Sequence, residues 1–162
     1  MTDDTPKHGE IHIREMTTDD IPFLRSLTAR FAQVGTPPWR DSAQMCEFHQ
    51  HSIEEAITDT QADSLVLVAE DAQEAQLGFI HLMRSEDFFT HEPQGYIADL
   101  AVSDDAAGKG VGRILMERAE AWARAQGYRI LALDVFAMNT HARSFYQRLG
   151  YVEETLKLIK EL

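Results

Sequence analysis

Residues 100–113, LAVSDDAAGKGVGR, constrain the fold more than any other stretch of this chain. A short apolar strand runs into a turn with glycine at positions 108, 110 and 112, and an amphipathic pattern begins directly behind it. Glycines at that density let the backbone approach a ligand closely and aim N–H groups at one point. The helix that starts there adds unpaired N–H donors and the positive end of its dipole. Gly108, Lys109, Gly110, Val111, Gly112 and Arg113 thus read as an anion site suited to a pyrophosphate, with positive charge from Lys109 and Arg113. The plainer reading is a turn that only joins strand to helix. Three glycines in five residues exceed what such a turn needs.

Two nucleotide-binding turns are excluded by their neighbours. A Walker A loop needs Ser or Thr after Gly-Lys, and Gly110 stands there. A dinucleotide fingerprint needs a third glycine where Arg113 stands, and five residues, Ser103 to Ala107, separate the strand from the glycines. Asp134 could imitate the ribose-binding acid of that fold, but too little chain follows it for the remaining strands.

Elsewhere the periodicity predicts a mixed α/β domain over residues 10–162, with residues 1–9 as a disordered tail. IHIREM alternates as a half-buried strand, and Thr18 or Asp19 can cap a helix that runs through FLRSLTARFAQV to Gly35. TPPW is a rigid loop, and a second helix covers Ser42 to about Asp59. LVLVAE and LGFIHLMR read as antiparallel partners, and GYIADLAV as a central strand. A helix over Gly110–Gln126 ends at Gly127. YRILALDVF reads as a buried strand, Thr140 to Leu149 as a short helix, and YVEETLKLI as a last strand. The order is βααβββαβαβ.

Composition narrows the partners. A net charge of −12 repels nucleic acid, whose binding depends on cationic neutralisation of phosphates, and would draw in amines. No apolar run reaches the length of a membrane span, and MTDDTPKHGE is not a signal peptide, so no membrane partner and a cytoplasmic location are expected. The single cysteine, Cys46, excludes an internal disulfide and reads as an idle thiol. No spacing such as H-E-x-x-H suggests a metal site.

From about Ile11 to the C-terminus, and most specifically between Tyr96 and Val152, the chain resembles the GCN5-related N-acetyltransferases. Their turn, Arg/Gln-x-x-Gly-x-Gly/Ala, is matched by AAGKGVG except at the first position, where Ala107 stands. A second block, LDVFAMNTHARSFYQRLGYVEE, places Asn139, Ala142, Tyr146, Gly150 and Tyr151 at the family's spacings. The resemblance implies a single-domain α/β fold of that family, with a mixed central sheet of about six to seven strands flanked by about four helices. It also implies acetyl-coenzyme A as cosubstrate, no metal, and transfer of the acetyl group to a primary amine in a ternary complex. A small molecule (an aminoglycoside-like amine or a polyamine), a protein N-terminus or a lysine would serve as acceptor. Dimers are frequent in the family, so a homodimer is among the expected partners. The alternative is a non-catalytic module of the same fold that binds coenzyme A for sensing or interaction; retention of Asn139 and Tyr146 favours the enzyme.

Acyl transfer to an amine needs a polarised carbonyl, a neutral nucleophile and a protonated leaving group. The resemblance assigns carbonyl and pantetheine contacts to the backbone of Leu100, Ala101 and Val102, and a coenzyme contact to Asn139, which is equally suited to cap a helix. It assigns the general acid to Tyr146, whose phenol, with an ordinary pKa of ~10, is protonated at neutral pH; a core tyrosine is the plainer alternative. Asp99 is the candidate base, or else binds the cationic acceptor; Glu92, His81 and His91 are weaker candidates. Glutamates that some members carry would fall at Tyr96 or Ala98. The acceptor pocket is expected between the first two helices and the loop before the central strand, near Thr36 to Trp39, His49 and Phe88 to Glu92, with Trp39, Phe88, Phe89, Glu92 and Asp99 as its contacts.

Overall fold

A computed structural model of the chain describes residues 10–31, 36–58 and 63–162. Its elements are β1 (His12–Glu15), α1 (Ile21–Thr28), α2 (Ser42–Thr58), β2 (Ser64–Glu70), β3 (Gln76–Glu86), β4 (Pro93–Val102), α3 (Val111–Ala125), β5 (Leu131–Leu133) and α4 (Thr140–Arg148). The strands form one sheet in the order β1-β2-β3-β4-β5. Every pair is antiparallel except β4–β5, which is parallel because α3 carries the chain across between them.

Alternation along β3 divides the sheet into two faces. Ile80 and Leu82 enter a core closed by Val111, Leu115, Met116 and Ala119 of α3. Phe79 enters a second core with Leu24 and Leu27 of α1 and Ile53 of α2. Each such fully buried side chain contributes about 1.5–3 kcal/mol of transfer free energy. The sheet is therefore sandwiched, α3 on one side and α1 with α2 on the other. Among the described residues no helix is long and apolar enough to cross a membrane.

An ionic knot ties the N-terminal half together. Arg14 grips buried Asp20 with two bonds, at 2.7 and 2.9 Å, and donates its Nε to Glu70 at 2.8 Å. The Asp20 carboxylate also accepts from the Thr17 backbone at 2.7 Å and from Gln76. Arg14 comes first among the causes that hold the Asp20 carboxyl down at about 2, against a smaller opposing push from burial.

Four expectations from the sequence need correction. The sheet has five strands, fewer than six to seven, because YVEETLKLI forms no ladder. Gly150, with φ +90°, turns the chain sharply after α4, and Glu153 pairs with Arg143 of that helix, so the segment has no strand alongside it. Val152, Leu156 and Leu158 are accordingly exposed. The strand expected over YRILALDVF contracts to Leu131–Leu133 and is half-buried, since the chain leaves β4 immediately afterwards. The first helix ends at Thr28, where Arg30 N bonds to Leu27 O and tightens the turn. The Arg30 guanidinium then crosses to Val102 O at 3.1 Å. The tail over residues 1–9 and the segment 32–35 ending at Gly35 lie outside the described residues.

Candidate active site

The divergence of β5 from β4 creates the site. The two strands pair only at Gly95–Leu131, Tyr96–Ala132 and Ile97–Leu133. Beyond Ile97, β4 continues to Val102, paired with β3 on one side alone. Register supplies the cause: Leu82 pairs with Ile97 while His81 pairs with Asp99, so Ala98 is an extra residue, a bulge that increases local twist. Tyr96, one rung before the strands part, donates its hydroxyl to Asp134 at 2.9 Å. Burial first, and then that bond, push the Tyr96 phenol up, so it remains a donor. The result is a strand edge over Ala98–Val102 with no strand beside it, on which the Val102 carbonyl accepts from Arg30 at 3.1 Å.

The glycine turn lies at the far end of that edge. Gly108 and Gly110 adopt φ of +77° and +81°, the left-handed region that glycine enters without a Cβ clash. Gly110 is the N-cap of α3 and, having no side chain, leaves the first-turn N–H groups uncapped. A Cβ at Gly108 would meet nothing within 4 Å, so the turn opens outward. Gly112 has a different task. Its missing Cβ lets Phe145 of α4 come to 3.3 Å and Val102 to 3.7 Å of that point, which brings β4, α3 and α4 together. Val111 turns its side chain into the core, at 1% exposure, so only its backbone is available to a ligand. Leu100 and Val102 likewise pack side chains against the α3 core while their backbone lies on the open edge. Arg113 pairs with Glu117 along the helix at 3.1 Å, whereas Lys109 has no ion pair among the described residues. A cradle of outward N–H groups beside an unpaired cation fits a pyrophosphate, and an open strand edge fits an amide-bearing arm.

Helix α4 begins at Asn139, whose Oδ1 accepts from Ala142 N at 3.1 Å. Capping therefore occupies the oxygen and leaves the side-chain nitrogen to donate elsewhere. Tyr146, on the same helix, packs edge-on to Phe145 and Tyr151, with ring centroids 5.3 and 6.0 Å away. Burial pushes its phenol up to about 12. Among the described residues its hydroxyl has no hydrogen-bond partner.

On the opposite face of β4 lies a charged centre that spacing alone conceals. Asp99 is buried, its side chain 1% exposed, between two imidazoles. His49 Nδ1 on α2 stands 2.6 Å from Oδ1, and His81 Nδ1 on β3 stands 3.4 Å from Oδ2. Burial would push the Asp99 carboxyl up, but the two histidines more than offset it and hold it below the usual carboxylate range. Eighteen residues separate His81 from Asp99 and 50 separate it from His49. The available signal was the polar His81 at an inward position of the run LGFIHLMR. Among the described residues no group of three or more His, Cys, Asp or Glu could hold a metal ion.

The other expected acceptor contacts are scattered. Phe88, Phe89 and Glu92 occupy the β3–β4 hairpin, at the end of β4 away from the glycine turn. Seven residues separate Glu92 from Asp99, roughly 20 Å at ~3.3 Å per residue. The two phenylalanines are exposed and stack edge-on, and Glu92 lies 3.7 Å from Arg129. His91 pairs with Glu86 at 2.8 Å on the same hairpin. Trp39 sits in the turn before α2, at 41% exposure. The hairpin residues and the Asp99 centre are thus separate places on the molecule.

Comparison with known proteins bears on the family and the fold. Residues 28–151 match the model of the Acetyltransferase (GNAT) family. An aminoglycoside N(6')-acetyltransferase type 1 of Stenotrophomonas maltophilia is 27% identical over 145 residues, which are 85% of this chain and 90% of the relative. A glucosamine 6-phosphate N-acetyltransferase 1 of Oryza sativa subsp. japonica is 28% identical over 126 residues, 76% of this chain and 70% of that one. A solved structure of a GCN5-related N-acetyltransferase from Ralstonia eutropha JMP134 superposes with a TM-score of 0.72 at 24% identity, covering 94% of this chain and 99% of the other. At that identity the likeness speaks to the fold.

Proposed function

Because the chain belongs to the acetyltransferase (GNAT) family, whose members use acetyl-coenzyme A, we propose that it transfers the acetyl group of that thioester to a primary amine. A small cationic acceptor, aminoglycoside-like or polyamine, fits a chain of net charge −12 better than an anionic one, with a protein N-terminus or lysine as the other acceptor class. The observation that carries the reading is the open edge of β4 running into an uncapped helix N-terminus.

The coenzyme supplies an activated acyl group and a thiolate leaving group. The turn over Gly108–Arg113 would hold its pyrophosphate with backbone N–H groups, while Lys109 neutralises charge. The freed edge over Leu100–Val102 would pair with the pantetheine arm and present N–H donors to the carbonyl oxygen. Asn139 would donate its side-chain nitrogen to the arm. Tyr146 would protonate the departing sulfur, a role matched to a phenol that burial keeps in its acid form. Asp99 and its two histidines form the candidate centre for relieving the acceptor of its proton.

Incubation with acetyl-coenzyme A and a panel of primary amines, following free thiol, tests the proposal. Thiol release that depends on one class of amine is expected. Coenzyme A binding without turnover on any amine would instead support a sensing or interaction module.

A further inference from the structure

Resting on the acetyl-transfer reading, we infer that His49, rather than Asp99, receives the acceptor's proton, with Asp99 as the residue that positions its ring. Access decides between the two. The Asp99 side chain is 1% exposed, its oxygens facing His49 and His81, so an incoming amine has no free route to it. The His49 side chain on α2 is 23% exposed. Its Nδ1 lies 2.6 Å from Asp99 Oδ1, close enough to pair as an ion but not aligned as a hydrogen bond, and the adjacent carboxylate favours a proton on that nitrogen. Nε2 is then a bare lone pair, and among the described residues it has no partner. A buried carboxylate behind one ring nitrogen and an open acceptor at the other is the arrangement by which an aspartate orients a basic histidine.

The surroundings agree. Phe31 and Phe48 meet the His49 ring edge-on, at centroid distances of 5.1 and 5.6 Å, and fix its plane. The titratable groups facing it are Asp99 from β4 and, behind that carboxylate, His81 from β3; Cys46 lies one turn earlier on α2. His81 is buried at 1% exposure, and its Nε2 has no partner. It borders a cavity of about 340 Å³ lined also by Ser52, Glu55 and Ser64, which lies away from the open β4 edge. His81 thus steadies the carboxylate from the rear.

The protons balance. His49 Nε2 takes one proton from the ammonium and passes it to water. Attack by the nitrogen lone pair forms the C–N bond as the C–S bond breaks, and the electron pair leaves on sulfur. Tyr146 gives that sulfur its proton and is reprotonated by the second proton of the nitrogen. The third stays on the amide.

The test uses the full chain and two readouts. Nitrogen-15 NMR of the histidine rings, without coenzyme, should show His49 as the Nδ1–H tautomer in the wild type and lose that preference in Asp99→Asn. With the best amine of the panel, His49→Ala should lose about 10²- to 10⁴-fold in kcat/KM, lose the acid limb of its pH profile, and recover partly with added imidazole. Coenzyme A affinity should be unchanged, which also reports that the variant folds. An active wild type whose His49→Ala variant keeps the acid limb, or a His49 ring protonated at Nε2, overturns the assignment. A wild type that turns over no amine overturns the acetyl-transfer reading first.

Discussion

At the scale of single residues, Tyr146 connects chemistry to packing. Its ring is wedged between Phe145 and Tyr151, so Tyr146→Phe keeps the packing and removes only the proton. If the phenol serves the leaving thiolate, kcat should fall by about 10²- to 10⁴-fold with little change in coenzyme affinity, measured where chemistry limits turnover. The phenol, pushed up to about 12, stays protonated at every lower pH. The wild-type kcat profile should accordingly show no alkaline loss from this group below about pH 11; a limb near 9 that vanishes in the phenylalanine variant would contradict the raised pKa, and a near wild-type kcat in that variant would contradict the acid role. Asp99 and Tyr146 were legible as candidates because the family resemblance points to their positions, on the central strand and on the short helix after Asn139. His81 was legible as a weaker base candidate and His49 as near the acceptor pocket, but their convergence on Asp99 was not, since it depends on how α2 lies across β3 and β4, a tertiary relation that no short window contains.

At the scale of elements, the central hairpin and α3 followed from local pattern: apolar runs separated by a turn for β2 and β3, and the glycine turn with apolar helical spacing for α3. The splay did not, because pairing between β4 and β5 is a non-local choice and a one-residue bulge at Ala98 redirects it. The expected last strand failed for the same reason: alternation in YVEETLKLI describes a strand only where an edge receives it. Gly78 provides a test of how tightly the site-bearing hairpin is built. A Cβ there would lie 2.6 Å from Ala101 O, on β4 opposite. Gly78→Ala should therefore destabilise the fold by about 1–3 kcal/mol and displace the Leu100–Val102 edge, read as a lower denaturation midpoint together with weaker coenzyme binding. Retention of both would mean that the hairpin has slack at this point.

At the scale of the molecule, the Arg14–Asp20–Glu70 knot joins β1, β2 and the entry to α1. Asp20 sits at about 2 when folded and near ~3.9 when unfolded, so its folded pKa is depressed. Its contribution, about 2 kcal/mol, is present above pH 4 and is lost as pH falls toward 2. Asp20→Asn should cost about that much at pH 7 and flatten the stability profile between pH 4 and 2, checked by urea unfolding at each pH; an unchanged slope would remove the knot from the account. The function rests instead on one junction, where the open β4 edge meets the α3 N-terminus. Gly110→Glu puts bulk and negative charge there, at a φ of +81° that costs an L-residue about 1–2 kcal/mol, which a folded domain of this size tolerates. Calorimetric titration of coenzyme A into the wild type and into this variant, with thermal melts beside them, is the most direct measurement. Saturable one-to-one binding by the wild type and none by a folded variant is the predicted result, whereas equal affinity in both would contradict the placement of the coenzyme on which the account depends.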